Sequence, residues 1–314
     1  MLGSHAAETA ARFGLGEVTS FAGPVARGRV GEIWRLDTGR GSYAVKTWRE
    51  RPDVAEVDAD TALQEHFLGA GVPMPAPVRT TDGAVLAEVG GVPLRVHTWV
   101  DVLPEDRGLD PAAVGGLLAL LHRSAPPASG PVDPWFTEPV GAAGWSELVA
   151  ALGSAGAPFA ARLGALVPSL LDAEALMDDR PRELVACHRD LWADNLRATP
   201  AGGLMALDWE NAGAAEPAQE LAQLVLEFGR GDPARWRALH AVYVGAGGPA
   251  RLREPRDFTL LLAVQGQIVR VGCRRWLAAT TDDDRADNEA WVAEFLDEPF
   301  TRDTVTAVLD AVDG

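Results

Sequence analysis

The hydrophobic pattern of this chain passes from mainly strand-like to mainly helical near residue 101, and that change restricts the folds open to it. Before it, short alternating segments are bounded by glycine-rich turns, the signature of antiparallel strands. Val18–Gly23, Glu32–Leu36 and Ser42–Trp48 read as strands, separated by the turns Gly28-Arg29-Val30-Gly31 and Asp37-Thr38-Gly39-Arg40-Gly41. Val54–Ala70 reads as a helix, with Ala59, Leu63, Phe67 and Ala70 at helical spacing. Gly71 and the prolines Pro73, Pro75 and Pro77 end it. Val78–Thr80 and Ala84–Val89 flank Asp82-Gly83, a hairpin signal, and Leu94–Val102 is a last strand.

From Asp110 the period is helical. Asp110 caps a helix with Pro111 at its first position, running to His122. Segment 124–141 reads as a loop, followed by helices at Gly144–Gly153, Pro158–Leu166 and Pro168–Met177. A small β interruption follows: Leu184–Cys187, a polar loop, then Leu196–Thr199 and Leu204–Leu207 around a Pro200-Ala201-Gly202-Gly203 turn. Helices return at Pro217–Phe228, Pro233–Gly245, Arg256–Ala279 and Asp284–Phe295, and from Thr301. The fold class is therefore α+β, with a β-rich N-terminal lobe (residues 1–98) and a mainly α C-terminal lobe (residues 99–314).

Charge narrows the partners. Across 314 residues, 45 acidic against 28 basic side chains give a formal charge of −17, which repels nucleic acid and anionic membranes. Two cysteines exclude a disulfide scaffold. No apolar run reaches the roughly 18 residues of a membrane span, and residues 1–11 lack a basic region followed by an apolar stretch. The expectation is a cytoplasmic protein.

Of the 28 basic residues, 27 are arginine and one is lysine, Lys46, on a strand. A surface tolerates the Arg-for-Lys exchange; a site that needs a compact ammonium on a flexible stem does not. Downstream, His188-Arg189-Asp190-Leu191-Trp192-Ala193-Asp194-Asn195 holds H-x-D-x-x-x-x-N. The hairpin after it ends in Leu207-Asp208-Trp209-Glu210. Two short strands joined by a turn bring Asn195 and Asp208 back toward Asp190. Two carboxylates and an amide oxygen are hard ligands that magnesium prefers. One aspartate can hold metal while the other orients and deprotonates a hydroxyl. No G-x-x-x-x-G-K-[ST] occurs, so a P-loop enzyme is excluded.

These residues resemble the aminoglycoside phosphotransferase and choline kinase-like family, which shares the protein-kinase fold. The resemblance runs from the turn before Lys46, through Gly71-Val72-Pro73-Met74-Pro75, to the catalytic loop and Asp208. It implies two lobes with ATP in the cleft, Lys46 on the α/β-phosphates, Asp190 as catalytic base, His188 buttressing the loop, and Asn195 and Asp208 on Mg²⁺. It also implies nucleotide contacts from the turn glycines Gly28 and Gly31, and backbone groups for adenine from the linker containing His97 and Trp99. The acidic partner of Lys46 is open: the family's usual position falls on Thr61, Glu65 lies one turn later on the same face, and Asp60 is the rival. Glu220 stands where the family often has an acidic residue, with a structural role at the loop backbone. Arg189 replaces a frequent glycine, and Asp208-Trp209-Glu210 stands in place of the protein-kinase Asp-Phe-Gly.

The expected activity is ATP- and Mg²⁺-dependent O-phosphotransfer to a small hydroxylated, cationic acceptor, first an aminoglycoside or related natural-product antibiotic. A metabolic sugar or amino-alcohol kinase is the enzyme alternative, and a non-catalytic nucleotide-binding regulator the alternative outside enzymes. ATP against GTP, and monomer against homodimer, stay open. The acidic residues between Asp282 and Glu298 suit an amino-bearing alcohol, or form an ordinary acidic helix start.

Overall fold

Alternation in the first hundred residues builds one antiparallel sheet. Its strands are β1 (Val18–Arg27), β2 (Gly31–Thr38), β3 (Gly41–Trp48), β4 (Pro77–Val78), β5 (Ala87–Val89) and β6 (Val92–Thr98). Among the residues described by this computed structural model (5–27, 31–129, 131–178, 180 and 182–313), their order is β1-β2-β3-β6-β4, with β5 also on β6. The Asp82-Gly83 turn forms, with Gly83 at φ 92°. Thr80 N–H donates to the Ala84 carbonyl across it at 2.8 Å, but the pairing stops there, and β4 and β5 each pair with β6. The central strand of three offers more backbone partners than a two-strand hairpin would.

Side chains two apart share a face of a strand. One face of this sheet is apolar: Leu36, Val45, Leu94 and Val96 pack with Ala6, Ala10 and Phe13 of the α1 region (α1, Ala6–Arg12). The opposite face therefore carries Lys46 and Trp48 from β3, and Arg95 and His97 from β6, with Lys46 directly opposite Arg95. Helix α2 (Val54–Gly69) supplies partners to that face: Trp48 packs with Val57, and His97 meets Gln64. Asp53 caps α2 by accepting from the Ala55 N–H, and at its end Gly71, at φ 89°, donates to the Leu68 carbonyl while Val72 N–H donates to the Phe67 carbonyl. The buried stripe of α2 is Val57, Thr61, Gln64 and Phe67, not the expected Ala59–Leu63–Phe67–Ala70. The helix is rotated because the sheet face it meets is polar.

The β8 (Leu196–Ala198) and β9 (Leu204–Ala206) hairpin belongs to the same compact unit. The units are Met1–Asp106 with Ala193–Ala212, and Arg107–Trp192 with Gly213–Gly314, a different division from a single cut at 98/99. Backbone bonds explain it: Ala206 N–H donates to the Pro73 carbonyl at 2.9 Å, and Leu103 N–H to the Ala198 carbonyl at 2.8 Å. A 3-10 turn, Trp209–Asn211, follows β9, and buried Trp209 lies 5.1 Å from the Phe67 ring of α2.

The second unit is mainly helical: α3 (Pro111–Ser124), α4 (Gly141–Ser154), α5 (Ala160–Glu174), α6 (Pro217–Gly229), α7 (Pro233–Gly245), α8 (Thr259–Ala278), α9 (Asp282–Asp297) and α10 (Arg302–Asp313). A two-stranded ribbon, β7 (Val185–Cys187) with β10 (Gly213–Ala215), completes it among the described residues. Helix α5 runs through Pro168, where the sequence reads as two helices. Leu163 and Leu170, on either side of the proline, enter one core with Trp145, Leu152, Val269 and Val292, which outweighs one lost hydrogen bond. Asp282, Asp283 and Asp284 form the first turn of α9, capped by Thr281, as the helix dipole favours. No described helix is long and apolar enough to cross a membrane.

Phe67 joins α2 to the turn that carries Asp208 and Glu210. Phe67→Ala is expected to lower stability by about 3–5 kcal/mol, read from the urea midpoint. A loss below about 1 kcal/mol would show that this contact does not anchor the turn.

Candidate functional site

In the first unit, strand alternation and hairpin closure converge on one ammonium group. Lys46 Nζ lies 2.7 Å from Glu210 Oε2 and 3.1 Å from Asp208 Oδ1, with its side chain only 12% exposed. The other Glu210 oxygen, Oε1, accepts from Arg95 Nη2 at 3.1 Å. Arg95 is buried and its guanidinium lies 5.3 Å from the centre of the Trp48 ring. His97, two residues along β6, sits with Nε2 3.1 Å from Gln64 Oε1, which selects the tautomer protonated at Nε2. Burial first, then the Arg95 and Lys46 charges, push its pKa down to about 3, so the ring is neutral.

The hairpin places the oxygen ligands. Leu207 N–H donates to the Asn195 carbonyl at 2.8 Å, extending the Leu196–Ala206 pairing by one step. Asn195 and Asp208 therefore stand at its open end. Asp208 has left-handed backbone angles, φ 50° and ψ 75°, sparsely populated for a residue with a Cβ. The adjacent Asp194 carboxyl is raised by desolvation and by the Glu105 and Asp208 charges. A hard oxygen donor set beside crowded carboxylates fits a divalent cation.

The expected partner of Lys46 requires correction. Glu65 points to Arg79, which grips it with Nε at 2.7 Å and Nη2 at 2.9 Å, a half-exposed surface pair. Thr61 is buried and its hydroxyl donates back to the Val57 carbonyl. The α2 side chain facing the polar sheet is neutral Gln64, and the carboxylates come from Asp208 and Glu210. Sequence reasoning missed Glu210, Arg95 and Gln64. The signal was strand alternation, which puts position 95 on the face of Lys46, together with a second acid two residues after Asp208.

The turn glycines and linker also differ from expectation. Gly28 lies outside the described residues. Gly31 is inside β2, and a Cβ there would lie 1.8 Å from the Thr47 carbonyl oxygen, so close backbone approach requires it. Trp99 N–H donates to the Ser42 carbonyl at 2.9 Å, so it is not a free donor for adenine. The Trp99 indole N–H donates to Asp101, and Arg35 lies 4.8 Å from the ring centre.

In the second unit, His188 is buried and Asp190 is half-buried in the loop after β7. Arg189 between them adopts φ 65°, a left-handed conformation that costs about 1–2 kcal/mol for a non-glycine residue. Its backbone N–H donates to Glu220 Oε1, and its guanidinium lies 4.1 Å from the centre of the Phe136 ring. Glu220 Oε2 is 2.8 Å from His122 Nε2, and His122 Nδ1 is 2.8 Å from the Tyr243 hydroxyl. Cys187 completes a buried His–Cys–Glu group. Burial raises the Cys187 thiol well above its ordinary value, so it stays protonated, and hydrogen bonds occupy both His122 nitrogens. This group holds the loop backbone.

Burial alone would raise the Glu220 pKa, but the hydrogen bond and charge of His122, with the His188 charge and Arg189 N–H, lower it below 4.5. As pH falls, the unfolded chain takes up this proton first. The stabilisation is therefore whole above about pH 4.5 and is lost as pH drops through the folded value. Glu220→Gln is expected to lower stability at pH 7 by about 1–3 kcal/mol and to flatten the acid limb of a denaturation-versus-pH curve. An unchanged limb would contradict the assignment.

A family model described as the phosphotransferase enzyme family matches residues 23–255. A homoserine kinase from a Bradyrhizobium species is 29% identical over 189 residues, 59% of this chain and 56% of that protein. The chain thus spans little more than half the length of the curated relatives it matches. A spectinomycin phosphotransferase solved with ADP and spectinomycin superposes with TM-score 0.72 at 13% identity, covering 99% of this chain and 98% of that one. A choline kinase from Streptococcus pneumoniae gives TM-score 0.53 at 16% identity, covering 99% and 98%. These likenesses show a protein-kinase-like fold, and with most of its length inside the family model the chain belongs to the phosphotransferase enzyme family.

Proposed function

We propose that the chain is a small-molecule kinase that transfers the γ-phosphoryl group of ATP, with Mg²⁺, to a hydroxyl of a small amino alcohol. The observation that carries this reading is the ammonium of Lys46, clamped by Asp208 and Glu210 on a largely shielded sheet face. Such an arrangement holds a compact positive charge in place for phosphate oxygens. Phosphoryl transfer asks mainly for alignment and charge neutralisation.

Each residue then has a role. Lys46 neutralises the α/β-phosphates. Asn195 and Asp208 would hold Mg²⁺, which supplies charge neutralisation for the phosphate oxygens. Asp190 orients the acceptor hydroxyl and accepts its proton. The acceptor oxygen forms a bond to γ-phosphorus, the bond from γ-phosphorus to the β–γ bridging oxygen breaks, and ADP leaves with that oxygen. Glu220 and His122 hold the Arg189 backbone, and so fix the start of the loop bearing Asp190.

Homoserine kinases are among the relatives with appreciable sequence identity, and homoserine carries an amine and a primary hydroxyl beside its carboxylate. The spectinomycin phosphotransferase resembles the chain at 13% identity, a likeness of fold. The acceptor favoured here is therefore a small amino alcohol, ahead of an aminoglycoside or related antibiotic. The excess of acidic side chains attracts a carboxylate-free amino alcohol or an aminoglycoside, both cations, more than zwitterionic homoserine.

ADP release measured with homoserine, ethanolamine, choline, spectinomycin and kanamycin tests the reading. Turnover is expected with an amino alcohol, and Asp190→Asn is expected to reduce kcat by about 10²–10⁴-fold while ATP binding persists. ATP binding without turnover on any acceptor would favour a regulatory protein, and an unchanged kcat in Asp190→Asn would remove Asp190 as base.

A further inference from the structure

We propose that Arg95 is a positioning residue for phosphoryl transfer: it holds Glu210 in place and balances its charge, so that Lys46 can turn to phosphate without leaving a shielded anion facing the nucleotide. This inference rests on the kinase reading above and extends it to a residue that touches neither substrate.

The geometry is that of a relay with Glu210 at its centre. One carboxylate oxygen takes Lys46 at 2.7 Å and the other takes Arg95 at 3.1 Å. Lys46 and Arg95 are register partners on adjacent strands and share the sheet face opposite the apolar core. From helix α2, Gln64 is spent on a neutral His97 and Glu65 on Arg79. The Lys46 side chain is 12% exposed, the Glu210 side chain 21% and the Arg95 side chain 5%. At that shielding, charges interact strongly and an unpaired one is expensive.

Consider Glu210 without Arg95. Its counter-charge among the described residues would be Lys46 alone. A triphosphate that draws the ammonium away would then leave a shielded carboxylate next to a polyanion, and nucleotide binding would oppose itself. With Arg95 present, Glu210 stays neutralised whichever way Lys46 turns. Among the described residues, Arg95 Nε and Nη1 are buried without hydrogen-bond partners. Stacking beside Trp48 fixes its plane. A charge that is permanent and bound to one carboxylate is what the relay needs.

The test is a double-mutant cycle on Arg95→Leu, Glu210→Gln and both together. ATP affinity is measured by calorimetry without metal, alongside melting temperature and steady-state kinetics. Arg95→Leu is expected to weaken ATP binding at least tenfold and leave the acceptor KM within twofold. In the Glu210→Gln background the same change is expected to have less than a threefold effect. The double variant should melt higher than Glu210→Gln alone, which leaves Arg95 uncompensated. Arg95→Lys, which keeps the charge, should recover most ATP affinity and serves if Arg95→Leu does not fold. ATP affinity within twofold of the parent in a folded Arg95→Leu, or fully additive effects in the cycle, would overturn the proposal. If the parent chain itself neither binds ATP nor releases ADP, the kinase reading fails instead.

Discussion

The structure of the first unit depends on placing one ammonium among carboxylates on a shielded sheet face. Strand pleating alone does not favour this, because the apolar side of the same sheet is the side that gains from burial. Lys46 is tolerable on the other side because Asp208 and Glu210 meet its charge, and because Arg95 meets the remainder of Glu210. Two positive and two negative side chains balance. Removing Arg95 or Glu210, which are well shielded, leaves an unpaired charge behind at up to about 3–5 kcal/mol, whereas Asp208, 45% exposed, contributes less. Much of the surrounding fold serves this balance: the Phe67–Trp209 contact seats the turn, and the pairing beside Asn195 sets the hairpin's open end.

The second unit solves a different problem, that of holding an irregular loop. Arg189 takes a backbone conformation that glycine would adopt without strain. Glu220 binds its N–H, His122 and Tyr243 orient Glu220, and the Arg189 side chain covers Phe136. The arginine thus spends its conformational strain on contacts a glycine cannot make. In the second unit a left-handed, non-glycine residue, Arg189, adjoins Asp190, and in the first unit the proposed metal ligand Asp208 is itself left-handed. Strain at such positions persists only where surrounding bonds over-determine it.

Much of this was legible in the sequence. The change of period from two to 3.6 separates the sheet from the helices, Asp110-Pro111 marks a helix start that forms as read, and the solitary lysine singles out its strand. The hairpin arithmetic that brings Asn195 near Asp208 also appears in the pairing. What was not legible depends on rotation and on long-range partners. The face of α2 could not be read from its hydrophobic residues, because that helix meets a polar surface and buries Thr61 and Gln64. For the same reason Glu65 looked like the partner of Lys46, while Arg79, fourteen residues on, claims it. Arg95 looks like one arginine among 27 until β6 is laid beside β3. Pro168 marks a helix end by local rules, and only the shared core of Leu163 and Leu170 shows why the helix continues.

Because Lys46 is the chain's only lysine, its amine can be addressed chemically without ambiguity. The most direct measurement is acylation by an adenine-nucleotide acyl phosphate, followed by peptide mass spectrometry with and without excess MgATP. The account predicts modification of the peptide bearing Lys46, suppressed by MgATP, with the N-terminal amine indifferent to nucleotide. A Lys46 amine that does not react, or that reacts equally in saturating MgATP, would contradict the claim that this ammonium faces the phosphates.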